Sequence, residues 1–136
     1  MTPRELMSGY LAAAQRGDWD TAFGYFAEDL VIHVPGSSAL AGDRRGRDAA
    51  IAYIETVRAH FRPGEIELEL IDMLTSGERV ALLVRERFLG QGPPVEIRRA
   101  NVYRVQGEKI VEMSIFEADQ YAVDALVAEI AERRDL

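Results

Sequence analysis

The residue types able to do chemistry are few, and the first is a pair of histidines, His33 and His60, in a chain of 136 residues with no cysteine. Without thiols there are no disulfides, thiolate nucleophiles or thiolate metal ligands. His33 is the side chain best suited to exchange protons near neutral pH, whereas His60, late in a helical stretch, reads as a surface or rim residue. Arg44, Arg45 and Arg47 could clamp a carboxylate or phosphate, although charged loop residues are more often simply solvated. Asp119 reads as a helix cap and Asp72 as a solvated strand end. His, Asp and Glu nowhere fall at metal-ligand spacing, so the expectation is a protein without metal or cofactor.

The elements that must position these groups follow from hydrophobic period. With 48% apolar and 29% charged residues the chain is globular in composition, and its length suits one domain over residues 1–136. The net charge of −7 argues against a nucleic-acid partner, and no apolar run is long enough to span a membrane. The start, Met1 to Glu5, shows no secretory pattern, so a cytoplasmic location is the default expectation. Thr2, Pro3 and Glu5 predict a capped first helix running to about Gln15. Asp18 predicts a second, with Trp19, Phe23 and Phe26 on one core-facing side; Trp19 is thus expected in packing.

Leu30 to Val34, closed by Pro35-Gly36, reads as a strand entering a glycine-rich loop, and Asp48 to Phe61 as a third helix. From Ile66 onward the period falls towards two: Ile66, Leu68 and Leu70 alternate with glutamates, and Val80–Leu89, Val95–Val105 and Lys109–Ala118 complete an antiparallel meander. The turn Gly90 to Pro94 joins two of these strands, and Asp119 caps a last helix with Val123, Leu126, Val127 and Ile130 as its stripe. The fold class is α+β, with helices packed on a strongly curved antiparallel sheet that forms a cone around a central pocket.

The order of elements and three local motifs carry a resemblance. The motifs are Gly17-Asp18-Trp19, the stretch His33-Val34-Pro35-Gly36 followed by Leu40-Ala41-Gly42 and Gly46-Arg47-Asp48, and Gly107 to Glu112. Over essentially the whole chain this resembles the SnoaL-like, nuclear-transport-factor-2-like superfamily, which includes ketosteroid-isomerase-like proteins. That fold hosts isomerases, cyclases, dehydratases, epoxide hydrolases and proteins without catalysis, so function has to be argued from the pocket.

The resemblance implies which side chains face that pocket. On the last strand these are Met113, Ile115 and Glu117; on the one before, Asn101 and Tyr103; and on the one before that, Leu83, Arg85 and Arg87. Trp19, Val34 and Tyr53 are expected as further lining, and Tyr10 falls where ketosteroid isomerases carry an oxyanion-hole tyrosine, a site type that serves as the general example of a neutral acid assisting a tyrosine. The pattern also departs from that family. Val34 occupies the position of the isomerases' general base, and Asn101 that of their second oxyanion-hole acid. The aspartate–arginine–aspartate set of limonene-epoxide hydrolases would keep only Arg85, with Arg87 and Ile115 in place of its acids.

An inward arginine needs a partner, so Arg85 or Arg87 is expected to pair with Glu117 or with an anionic ligand. Strict alternation from Val34 turns His33 away from the cavity unless a bulge before Pro35 reverses it; a structural, hydrogen-bonded histidine is the commoner outcome. The resulting expectation is a site for a small apolar, oxygen-bearing ligand of polyketide, terpenoid or steroid-like type. Any reaction would be an isomerisation, cyclisation or dehydration, with Tyr10 and Asn101 on the oxygen and Glu117 or His33 moving protons. The alternative is a non-catalytic ligand-binding or interaction module with an internally satisfied pocket. Val80, Leu82, Val84 and Phe88 are expected on the outer face of the sheet, where covering them would make a homodimer.

Overall fold

Thr2 starts α1 (Pro3–Gln15) with a reciprocal capping box: its hydroxyl accepts from the Glu5 amide at 3.1 Å, and the Glu5 carboxylate accepts from the Thr2 amide at 3.5 Å. Leu6, Met7, Tyr10 and Ala13 form the buried face of this helix. Gly17, at φ +75°, releases the chain, and Asp18 caps the short α2 (Trp19–Phe23) by accepting from the Thr21 amide at 3.3 Å. The expected helical face stops early, because Gly24 and Tyr25 turn the chain and Phe26 opens β1 (Phe26–Val34). Phe23 and Phe26 still meet, with ring centroids 5.6 Å apart.

The computed structural model describes every residue except Gln91, so the Gly90–Pro94 turn lies partly outside the described residues. Within the stretch read as a loop it contains a further strand, β2 (Gly42–Arg45), antiparallel to β1. Four residues without apolar alternation leave no period to detect. Then come α3 (Arg47–His60), β3 (Ile66–Ser76), β4 (Arg79–Phe88), β5 (Val95–Gln106), β6 (Lys109–Glu117) and α4 (Gln120–Arg134). Asp119 caps α4 by accepting from the Ala122 amide at 3.1 Å.

The six strands form one sheet in the order β2-β1-β6-β5-β4-β3. β3 to β6 make the expected antiparallel meander, but β1 runs parallel to β6, which makes the sheet mixed. Register shifts at Phe26/Val31, Leu70/Asp72 and Arg104/Val105 place irregularities where a sheet bends most easily. The two ends of the strand order, β2 and β3, do not pair, so the curved sheet stays open.

β4 corrects the sequence reading. Val80, Leu82, Val84 and Phe88 are buried on the helix-covered face, while Leu83, Arg85 and Arg87 point to the outer face. The assignment by resemblance was off by one residue, and a shift of one residue exchanges every side chain on a strand between faces. Arg85 instead meets Glu69 at 3.1 Å and lies 3.2 Å from Glu96, and Arg87 meets Glu67 at 3.2 Å. The Arg85 Nε approach to Glu96 is close enough for an ion pair but lacks hydrogen-bond alignment. His60 is also corrected: it is 4% exposed, and its Nδ1 donates to the Thr56 carbonyl at 2.9 Å.

This facing has a measurable consequence. Leu82→Ala should cost about 2–5 kcal/mol in urea unfolding, because it empties a site that is 2% exposed. Leu83→Ala, on the other face, should cost less than half of that under the same conditions; equal losses would contradict the register of β4.

Candidate functional site

A cavity of about 190 Å³ lies between α3, α4 and the inner face of the sheet. Most of its wall is apolar. α3 contributes Tyr53 and Val57, with Phe61 just past its end, α4 contributes Val123 and Val127, and the sheet contributes Val34, Ile66, Leu68 and Ile115. The Pro35–Leu40 loop closes one side, where Gly36 sits at φ +98° and any Cβ would collide with the Gln120 and Asp124 side chains. Asp124 ties that loop down by accepting from both the amide and the hydroxyl of Ser37 at 3.1 Å. The helical period of α3 and α4 thus supplies the greasy wall, and the pleat of the sheet supplies the polar groups opposite.

Those polar groups are three charged side chains on neighbouring strands: Glu86 on β4, Arg99 on β5 and Glu117 on β6. Arg99 donates from Nε and Nη2 to both oxygens of Glu117, at 2.7 and 3.0 Å, and from Nη1 to Oε1 of Glu86 at 3.0 Å. The Glu117 side chain is 4% exposed, so its charge depends on this fork-shaped pair rather than on water. Burial alone would discourage the charge on Arg99, but the two glutamates outweigh it and hold the guanidinium above its usual range. Glu117 spends both oxygens on Arg99. Glu86, which also lines the cavity, spends only Oε1 in this group, and Oε2 makes none of these bonds. The second hydrogens of Arg99 Nη1 and Nη2 are likewise not used in these three bonds.

Several aromatic residues frame the charged group. Tyr53 lies against the ionic group with its ring 5.0 Å below the Arg44 guanidinium, and burial pushes its hydroxyl up against the opposing pull of Arg99 and Arg44. Trp19 is half-buried and outside the cavity wall; Arg58 stacks over it at 4.9 Å and reaches the exposed part of the lining. Arg47 donates to the Phe23 carbonyl, Arg45 pairs with Asp43 and Arg44 donates to the Gly42 carbonyl, so the basic loop is occupied with its own surroundings.

Of the residues singled out from the sequence, Val34, Tyr53, Ile115 and Glu117 line the cavity. Tyr10, Asn101, Tyr103 and Met113 face inward but lie outside that wall. Tyr10 packs against Phe26 and Tyr103, at 5.7 and 6.2 Å, and burial pushes its hydroxyl up to about 12. Tyr103 is raised for the same reason. Asn101 keeps a buried Oδ1 with no hydrogen-bond partner among the described residues. Leu83, Arg85 and Arg87 are on the other face, as is His33, whose Nδ1 lies 2.9 Å from Asp43 and Nε2 3.2 Å from Glu112. The hydrogen bond to Asp43 raises the His33 pKa most, against a smaller opposing effect of burial. No bulge turns His33 inward.

Glu86 and Arg99 were missed, and with them the partner of Glu117. An arginine flanked by two acids is present, but at positions other than Arg85, Arg87 and Ile115 of the epoxide-hydrolase comparison: it is built from Glu86, Arg99 and Glu117. The signal was available in the alternation Val80, Leu82, Val84, Phe88, since Glu86 shares that parity.

The SnoaL-like domain model matches residues 7–113. The chain belongs to the SnoaL-like family. An uncharacterised protein of Mycobacterium tuberculosis is 32% identical over 125 residues, covering 91% of this chain and 95% of the relative. Among solved structures, Bal32a, from a soil-derived mobile gene cassette, superposes with a TM-score of 0.80 at 26% identity, over 91% of this chain and 95% of its own. A Xanthomonas campestris protein of unknown function with a cystatin-like fold gives 0.79 at 26% identity, over 93% and 98%. The nuclear-transport-factor-2-like architecture is shared with these and with a Burkholderia xenovorans protein at 22% identity, where the likeness is one of fold. The SnoaL-like family is one of small-molecule-binding, isomerase-like proteins. Among the described residues of this SnoaL-like chain, no helix is long and apolar enough to cross a membrane, and no group of three acidic or histidine side chains could hold a metal ion.

Because Glu117 is buried and held by Arg99 alone, Arg99→Met should destabilise the protein by about 3–5 kcal/mol. Replacing Glu86, Arg99 and Glu117 together with uncharged residues should recover most of the loss, as read from unfolding midpoints of the two variants.

Proposed function

We propose that this SnoaL-like protein binds a small, largely apolar ketone or enol in the α3–α4 cavity and moves a proton on it. The observation that carries the reading is the grouping of Glu86, Arg99 and Glu117 in the wall of a mostly apolar cavity, with one Glu86 oxygen outside the hydrogen bonds of the group. A carbonyl oxygen accepts from a remaining N–H of Arg99, and Oε2 of Glu86 takes the proton from the neighbouring carbon. Glu117 serves as the group that fixes Arg99. The tyrosines stay protonated, since burial raises all three.

Size narrows the ligand within the terpenoid, polyketide and steroid-like range. An apolar cavity of ~150 Å³ takes up benzene, and drug-sized sites begin at about 300 Å³. The 190 Å³ here suits a molecule of one or two rings. A bicyclic ketone with exchangeable protons, 2-tetralone, is a suitable probe. Incubated with the protein in heavy water, it should exchange its α-protons faster than in buffer, and Glu86→Gln should lower that acceleration by about 10²-fold or more without loss of the folded state. The bidentate hold on Glu117 favours a second reading, a binding module without catalysis; tetralone that binds without accelerated exchange would select it.

The outer face of the sheet supports a homodimer, although through residues other than those first expected. Leu83, Ala100 and Phe116 stand side by side across β4, β5 and β6, next to the exposed Ile71 and Leu74. Phe116 is 58% exposed, and charged rows at Glu69, Arg85 and Arg98 border this band. Sedimentation at micromolar concentration should give a dimer, and Phe116→Asp should give a folded monomer.

A further inference from the structure

The charge of the ionic group in the cavity wall says which kind of ligand head the cavity accepts, an inference that rests on the ligand-binding reading above. Arg99 is the only cation among the three charged groups there, and two carboxylates already share it. With both glutamates ionised the group carries a formal charge of −1. A guanidinium holds a carboxylate ligand best through a pair of parallel N–H groups. Here the Nε–Nη2 edge is taken by Glu117 at 2.7 and 3.0 Å and one hydrogen of Nη1 by Glu86, so an anion on the remaining Nη hydrogens would share the guanidinium with two carboxylates. An incoming carboxylate would meet the free oxygen of Glu86 in an environment of mostly apolar walls, where charges are poorly screened.

The other cations nearby do not reverse this. Arg58 is exposed and stacked on Trp19 at the outer part of the lining, where water screens it. Arg44 lies over the Tyr53 ring and is not part of the cavity wall. We propose that the site is built to exclude organic acids and to select uncharged oxygen heads, ketones and their enols, with Glu86 as the residue that sets this specificity. An enol hydroxyl can donate to the free oxygen of Glu86 while accepting from Arg99; a carboxylate has no proton to donate and adds a third negative charge.

A matched pair of ligands tests this, because 2-naphthol is neutral near pH 7, 2-naphthoate is anionic, and the ring systems are the same. Titrated by fluorescence or calorimetry, the unmodified protein should bind 2-naphthol at least tenfold more tightly than 2-naphthoate. Glu86→Gln keeps a side chain of the same shape and brings the group to neutrality, so it should bring 2-naphthoate to within about threefold of 2-naphthol by strengthening the anion. Equal or tighter binding of 2-naphthoate by the unmodified protein overturns the charge selection and leaves the ligand cavity standing. Binding of neither compound overturns the ligand-binding reading together with the inference. The comparison within the unmodified protein decides the matter even if Glu86→Gln fails to fold, and a persistent preference in a folded Glu86→Gln protein removes Glu86 as its source.

Discussion

A guanidinium placed inside a cavity wall has to be neutralised where it stands, and much of this structure around the pocket follows from that requirement. Arg99 is 17% exposed, too buried for water to carry its charge. Its position on β5 fixes where the compensating acids must come from: the neighbours on either side, β4 and β6, at positions that share its face. Glu117 pairs directly with Arg99 in the β5–β6 register, and Glu86 reaches it diagonally from β4. The three strands therefore cannot slip relative to one another without stranding a charge. The apolar contacts along β4 favour the same register, so packing and electrostatics agree on one alignment.

Legibility in the sequence followed the strength of each local signal. The capping residues Thr2, Asp18 and Asp119 announced three helices because a side-chain acceptor two or three residues before a helical stripe has few other uses. The meander from β3 to β6 was legible because glycine turns separate runs of period two. β2 left no trace, and the parallel pairing of β1 with β6 could not be read locally, since it joins residues such as His33 and Ser114 that are far apart in the chain. The site was half legible for a more instructive reason. On β5 and β6 the faces carried over from the family agree with the apolar alternation, and Glu117 came out inward. On β4 the two disagree, and the carried-over face set aside Val80, Leu82 and Val84, whose burial is the stronger physical demand. Weighing three buried aliphatic side chains against two arginines would have turned β4 over and brought Glu86 to Arg99.

The same inversion moves the dimer argument without removing it. Once Val80, Leu82, Val84 and Phe88 are in the core, the outer face is left with Leu83, Ala100, Val102 and Phe116, flanked by ion pairs such as Arg85–Glu69 and Arg87–Glu67. Exposed pairs of this kind contribute at most about 1 kcal/mol each, so they do little for the fold of one chain. Their place beside an apolar band is where polar groups border the centre of an interface. His33, held between Asp43 and Glu112, belongs to that outer surface rather than to the cavity.

One sheet thus separates two kinds of polarity. On the inner face three charged groups are enclosed with apolar side chains, where weak screening makes each hydrogen bond strong and each unpaired charge costly. On the outer face many more charges are present and each matters less. A proton taken by Glu86 changes the inner balance completely: the group passes from −1 to neutral at the moment a negative charge develops on the ligand oxygen beside Arg99. Charge leaves one side of the guanidinium and arrives on another, so the environment built for the resting protein also suits the enolate. An anionic ligand would require that balance before any proton has moved, so the selection by charge and the proton transfer proposed for Glu86 would have the same physical origin in this cavity.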